Sequence, residues 1–138
     1  MNKLLFLAVG FGIWMGATVA LRFVGQYLLV PGQFALSLLV YAATIPFIAV
    51  LAYPLYRWRR LDAAQRPAAA ALMCLPGMVL DTDTVFFIRH IFPNLSPAAG
   101  HLLGSWLLRA YALALVTAFL PVDRWIKPSP RLASQSAV

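Results

Sequence analysis

Two carboxylates, Asp81 and Asp83, stand in the middle of an apolar stretch that runs from Ala68 to Phe92. A carboxylate in hydrocarbon is strongly disfavoured unless it is paired, protonated or hydrated, so intramembrane acids mark functional sites by default. The other charges gather at similar heights. With a helical rise of about 1.5 Å per residue, counting back from Arg89 puts Asp81 about 12 Å and Asp83 about 9 Å below the outer edge. Counting from Ala98 puts His101 about 5 Å deep and Arg109 about 16 Å deep. Arg22 falls in the last turns of the first apolar segment. The expected polar cluster is therefore Asp81, Asp83, Arg109, Arg22, Arg89, His90 and His101, all in one half of the bilayer.

The chemistry open to that cluster is limited. Asp81 and Arg109 are close in depth on segments joined by a short turn, and an Asp–Arg pair would lower the cost of both charges. Residues two apart point about 200° apart on a helix, so Asp81 and Asp83 cannot chelate one ion together. Asp81 shares its face with Thr84, Val85 and Ile88. Asp83, His90 and His101 could offer N and O ligands to a divalent ion, but no HExxH-like spacing supports a metal site, and histidines at an interface ordinarily meet water or headgroups. No GxSxG is present, and the His101/Ser105 pair is the kind of i,i+4 coincidence common on helices. There is no phosphate-binding loop and no dinucleotide fingerprint, so no cofactor is expected. Cys74 is the one cysteine, which excludes an intrachain disulfide and a cysteine-based metal cluster.

These residues need a membrane around them. The 138-residue chain is 62% hydrophobic and 11% charged, with a mean hydropathy of +0.81. A soluble domain of this length has about 25% charged residues and could not hide so many apolar side chains in one small core. The expected fold is an all-α membrane protein, a four-helix transmembrane bundle occupying residues 1–126. Its spans are expected at about 4–26, 34–56, 68–89 and 98–120, each near the ~20 residues a bilayer requires. Pro31-Gly32 and Pro93-Asn94-Leu95-Ser96-Pro97 read as turns, and Ser96-Pro97 as a helix start in which the serine caps. Pro46, Pro54 and the Pro76-Gly77 pair read as kinks. Residues 127–138 read as a disordered tail.

The net charge of +7 comes from eleven Lys and Arg against four acids. Most basic residues flank the apolar segments, which is a topology signal and a match for anionic lipids rather than for nucleic acid. Lys3, Arg57, Arg59, Arg60, Arg66, Arg124, Lys127 and Arg131 fall on one side, so the positive-inside rule puts both termini in the cytoplasm. A second reading of the N-terminus is a signal peptide with cleavage after Ala17-Thr18-Val19-Ala20. Against it stands a ridge of small residues at Ala8, Gly12, Gly16 and Ala20, continued in kind by Gly100 and Gly104 of the last segment. Small residues four apart let another backbone approach. Packing within the chain is the expected use, and a homodimer contact the alternative.

Leu75-Pro76-Gly77-Met78 leading to Asp81, Phe92-Pro93-Asn94-Leu95, Gly104-Ser105-Trp106-Leu107-Leu108 and Tyr111-Ala112 resemble a family of small bacterial membrane proteins of unknown function. The resemblance implies a four-span protein of the bacterial inner membrane and supplies no substrate, cofactor or catalytic residue; Asp83 lies outside its pattern. Three functions stay open: a non-catalytic accessory or structural module with Asp81–Arg109 as glue, which leads; a small dimeric transporter or permease subunit with Asp81 as a proton or solute site; and a membrane enzyme acting on an apolar or lipid-linked substrate. Reporter fusions after Arg60 and after Lys127 are expected to report the cytoplasm, and one at Pro93 the outer side. A periplasmic signal at Arg60 would overturn this topology.

Overall fold

The computed structural model describes residues 1–120, so the expected tail lies outside the described residues. Those residues form α1 (Lys3–Leu28), α2 (Phe34–Trp58), α3 (Arg66–Phe86), the short α4 (Ile88–Ile91), and a 3-10 turn (Pro97–Ala99) that runs into α5 (Gly100–Phe119), with no strand among them. α1, α2, α3 and the Pro97–Phe119 unit are each long and apolar enough to cross a membrane. The chain is an all-α, multi-pass membrane protein built as a four-helix bundle.

Local chemistry sets the ends of these helices. The Asn2 side chain caps α1 by accepting from the Leu5 N–H at 3.2 Å. Gly32 (φ 86°) follows Pro31 in a turn closed by Gln33 N–H on the Val30 carbonyl at 3.3 Å, the proline–glycine order of a type II turn. Before α3, Asp62 and Gln65 each accept the other's backbone N–H, at 2.9 and 3.3 Å, in the reciprocal manner of a capping box. Pro76 lies inside α3, which continues through Pro76-Gly77 unbroken. The break falls instead at Phe87. Ser96 does not cap as expected: its side chain makes no capping bond, and only its carbonyl accepts, from Ala99 N–H at 2.9 Å.

The helices form a ring of neighbours in which α1 packs on α3, α3 on α5 and α5 on α2; the α1–α2 side of the ring is the least packed. The α1–α3 crossing is close because position 10 is a glycine. A Cβ there would lie 2.7 Å from the Met73 carbonyl carbon and 2.8 Å from its Cα. A fixed main chain cannot yield to such a contact. The face of α1 that packs runs through Phe6, Gly10, Leu21 and Gly25, all buried.

This corrects the ridge. Ala8, Gly12, Gly16 and Ala20 are all exposed, and nothing lies within 4 Å of a Cβ built at Gly12, Gly16 or Gly104. A Cβ at Gly100 would reach only Ile88 Cδ1, at an ordinary 3.6 Å. The reason is rotation. Gly12 and Gly16 sit two residues from Gly10 and Trp14, and two residues turn a helix by about 200°. The more conspicuous small-residue row is the outward one.

Two apolar clusters close the ends of the bundle. Phe6, Ala52, Tyr56, Leu61 and Ala69 pack at the end that carries the arginine loop. Leu21, Leu29, Phe92, Leu95, Ala99 and Leu103 pack at the other. Between them lies the middle of the bundle, where the polar site is found.

The expected outcome of substitution follows from the two glycine rows. Gly10→Leu should lower thermal stability in detergent by about 3 kcal/mol or more, because overpacking against main chain has no cheap relief. Gly12→Leu and Gly16→Leu should each stay within about 0.5 kcal/mol, as exposed substitutions do. The reverse order would place the packing face on the outward row.

Candidate functional site

Asp81 is 8% exposed, on the inward face of α3 with Cys74, Gly77 and Thr84. Its Oδ1 accepts from the Trp14 indole N–H of α1 at 2.8 Å. Its Oδ2 accepts from the Tyr111 hydroxyl of α5. One carboxylate thus joins three helices through two neutral donors, and no cationic side chain among the described residues acts on it.

The residues four before each partner make this arrangement possible. Gly77 lies one turn before Asp81 on the same face. A Cβ at Gly77 would collide with the Tyr111 hydroxyl and lie 3.2 Å from two of its ring carbons. Glycine is what lets the tyrosine reach the acid. Gly10 stands in the same relation to Trp14, bringing α1 against α3 closely enough for the indole to reach. Both donors are mid-helix residues. Trp14 is about 16 Å along its axis from Lys3 and about 21 Å from Leu28, and Tyr111 about 16 Å from Gly100 and about 12 Å from Phe119.

On α3 itself Asp81 stands about 22 Å along the axis from Arg66 and about 8 Å from Phe86, nearer the end that leads to α4. α3 ends at Phe86, and buried Phe92, Leu95 and Ala99 pack over that end.

The expected Asp81–Arg109 pair does not form. Arg109 faces away from Asp81: its Nε donates to the Tyr41 carbonyl of α2 at 3.3 Å, and its guanidinium lies 5.9 Å from the Tyr41 ring centre. The cause is again a two-residue offset. Tyr111 turns toward Asp81, so Arg109 turns about 200° away. The cluster also disperses. Arg22 donates to the Ile91 carbonyl at 2.6 Å and helps pin the chain over the end of α3. Asp83, Arg89, His90 and His101 are all exposed, and no group of three or more acids, histidines or cysteines among the described residues could hold a metal ion.

Sequence reasoning did not single out Trp14, Gly10 or Gly77 as parts of this site, and quoted Tyr111 only within a motif. A usable signal was present. Gly77 and Asp81, and Gly10 and Trp14, are glycine–polar pairs four apart, each a gap beside a hydrogen-bonding group on one face.

Asp81, Trp14 and Tyr111 line a partly open cavity of about 120 Å³ to which all four long helices contribute. Its other walls include Ile13, Ala17, Phe47, Leu51, Met73 and Trp106. The polar groups around it are mostly committed elsewhere. Trp106 Nε1 donates to Thr44 Oγ1 at 2.7 Å. The Tyr56 hydroxyl is bonded to Thr117 Oγ1 at 3.1 Å. With Tyr41 O–H donating to Ser105 at 2.8 Å, these bonds stitch α2 to α5 along much of their length.

The fold and the site define a multi-pass membrane protein with one buried acid, among the described residues, on a cavity between its helices. The chain belongs to the family of unknown function DUF5367, whose model matches residues 28–124. That segment holds α2, α3, α5, Asp81, Tyr111 and each motif on which the resemblance rested; Trp14 lies before it. No curated protein and no solved structure matches the chain.

Removing either donor should leave a buried carboxylate oxygen unsatisfied. Trp14→Phe and Tyr111→Phe are each expected to lower stability by about 1–3 kcal/mol, and by less when Asp81→Leu is already present. Gly77→Ala should act like Tyr111→Phe by displacing the hydroxyl. Arg109→Leu and Asp81→Leu should add within about 0.5 kcal/mol, as uncoupled sites do. A clear coupling in that last cycle would restore the ion pair.

Proposed function

We propose that this chain is a small carrier or permease subunit of the bacterial inner membrane, with both termini cytoplasmic, in which Asp81 is an exchangeable site for a proton or a solute. One observation carries the reading. Asp81 lies on a cavity between the helices, and its charge is met by two hydrogen-bond donors and by no cationic side chain among the described residues. An acid that served only as glue would be best served by an arginine, since opposite charges offset each other's desolvation. The chain carries an arginine at a matching depth and turns it toward Tyr41. An acid left on a cavity without a fixed counter-charge can take one from outside and give it up again. Exposed Arg57, Arg59 and Arg60 at the loop end suit anionic headgroups of the inner leaflet. The exposed Gly12–Gly16 face has room for a second copy of α1.

A second reading has its own support. The two donors to Asp81 come from two different helices, which suits an accessory or structural module where the acid is a staple. Asp81→Asn separates the two, because the amide keeps the shape of the acid without its charge: its oxygen can still accept from Trp14, and its NH2 can donate to the Tyr111 hydroxyl in place of the bond the acid accepted. Everted membrane vesicles carrying the wild-type chain are expected to accumulate or expel at least one solute in a pH-gradient-dependent way. Asp81→Asn at equal membrane level should reduce that movement more than tenfold. Identical behaviour of the two proteins across a panel of ions, metabolites and drugs would leave the staple as the role of Asp81.

A further inference from the structure

The shape and chemistry of the Asp81 cavity narrow what it can take. Its volume of about 120 Å³ is close to the ~150 Å³ of an apolar cavity that accommodates benzene. The ligand body is therefore a single ring or a short alkyl chain. Its walls are aliphatic and aromatic, so that body is apolar.

The polar inventory excludes several classes. An anion would meet the Asp81 carboxylate. A sugar or other polyhydroxyl solute would find the Trp14 and Tyr111 donors already given to Asp81, Trp106 given to Thr44, and Tyr56 bonded to Thr117. Only the spare lone pairs of Asp81 and the Thr18 hydroxyl could pair with it, so most of its hydroxyls would be buried unpaired, at about 1–3 kcal/mol each. A hard metal cation needs about six oxygen ligands, and the site offers one carboxylate. A monovalent organic cation fits. Each carboxylate oxygen has a second lone pair for an ammonium N–H beyond the bond it already accepts. Trp14, Trp106 and Tyr111 are aromatic residues of the cavity lining, the residue types that favour a cation by cation–π contact.

The route in follows from the packing. Both ends of the bundle are closed by the Phe6–Tyr56 and Phe92–Leu103 clusters. The least packed seam is α1–α2, and Phe47, a cavity wall on α2, is 56% exposed. That side of the cavity borders lipid.

We propose that the Asp81 cavity binds small lipophilic ammonium ions, a single ring or short chain on one cationic nitrogen, admitted from the bilayer between α1 and α2. This rests on the reading of Asp81 as an exchangeable cation site and names the class of solute.

The test uses benzylammonium and benzyl alcohol, two probes of one shape that differ in charge. Each is titrated calorimetrically into the full chain in lipid nanodiscs, with protein-free nanodiscs subtracting partition into lipid. The wild type is expected to bind benzylammonium at least tenfold more tightly than benzyl alcohol. Asp81→Asn should erase that preference, and Ala17→Leu, which fills the cavity from α1, should weaken both ligands. Should Asp81→Asn fail to fold, the two-probe comparison on wild type and Ala17→Leu still decides. Equal affinity for the two probes, or saturable binding of neither, overturns the proposal. If benzylammonium is ignored while Asp81-dependent transport of some other solute persists, this inference fails and the carrier reading stands. If benzylammonium binds selectively but no Asp81-dependent transport exists, the binding site stands and the carrier reading fails.

Discussion

The Asp81 carboxylate, held between the Trp14 indole and the Tyr111 hydroxyl, is the interaction around which the bundle is arranged. It stands on α3 and draws one donor from α1 and one from α5. Both donors must come close, and the chain meets that demand with glycine: Gly10 admits the main chain of α3 to α1, and Gly77 leaves room for the tyrosine. A neutral donor orients a carboxylate and offsets part of its desolvation without cancelling its charge. On the proposed reading, that difference from an ion pair leaves the site free to take a proton or a cationic solute.

The fourth helix serves a separate purpose. α2 is bound to α5 by tyrosine, threonine, serine and tryptophan side chains, Arg109 among the donors, and it touches its other ring neighbour, α1, at few points. Polar contacts between membrane helices contribute modestly, on average about 0.6 kcal/mol each. Several in a row give α5 and α2 a defined register, while the α1–α2 seam is held by few contacts. The bundle thus has three fastened seams and one loose one, and the loose one borders the cavity. With both ends capped by large apolar clusters, motion at that seam is the least costly way to reach Asp81.

Much of the fold could be read from the chain because a bilayer imposes a simple rule. Twenty apolar residues in a row can only span it as a helix, and proline, glycine and arginine mark the turns. Asp81 was legible for the same reason, as a charge where charges are disfavoured. Its partners were not, and the failures have one cause. Depth follows from counting residues, but direction follows from rotation, and two residues are enough to reverse it. Arg109 has the right depth and the wrong direction, while Tyr111, two residues on, has both. Gly12 and Gly16 form the visible small-residue row, while Gly10, two residues before Gly12, makes the contact. Which face turns inward depends on all the neighbours at once. Sequence periodicity in a lipid-facing helix is a poor guide to it, because both faces are apolar.

The central claim is that Asp81 is an exchangeable acid reached from the lipid, and an apolar carbodiimide tests it most directly. Such a reagent partitions into the bilayer and forms an adduct only with a carboxyl group that carries a proton. Peptide mapping by mass spectrometry after treatment of native membranes should find the adduct on Asp81, with exposed Asp83 and Asp62 much less modified and a marked loss of the Asp81 adduct when benzylammonium is present. An unmodified Asp81 beside a modified Asp83 would contradict the account, leaving Asp81 a sealed structural acid.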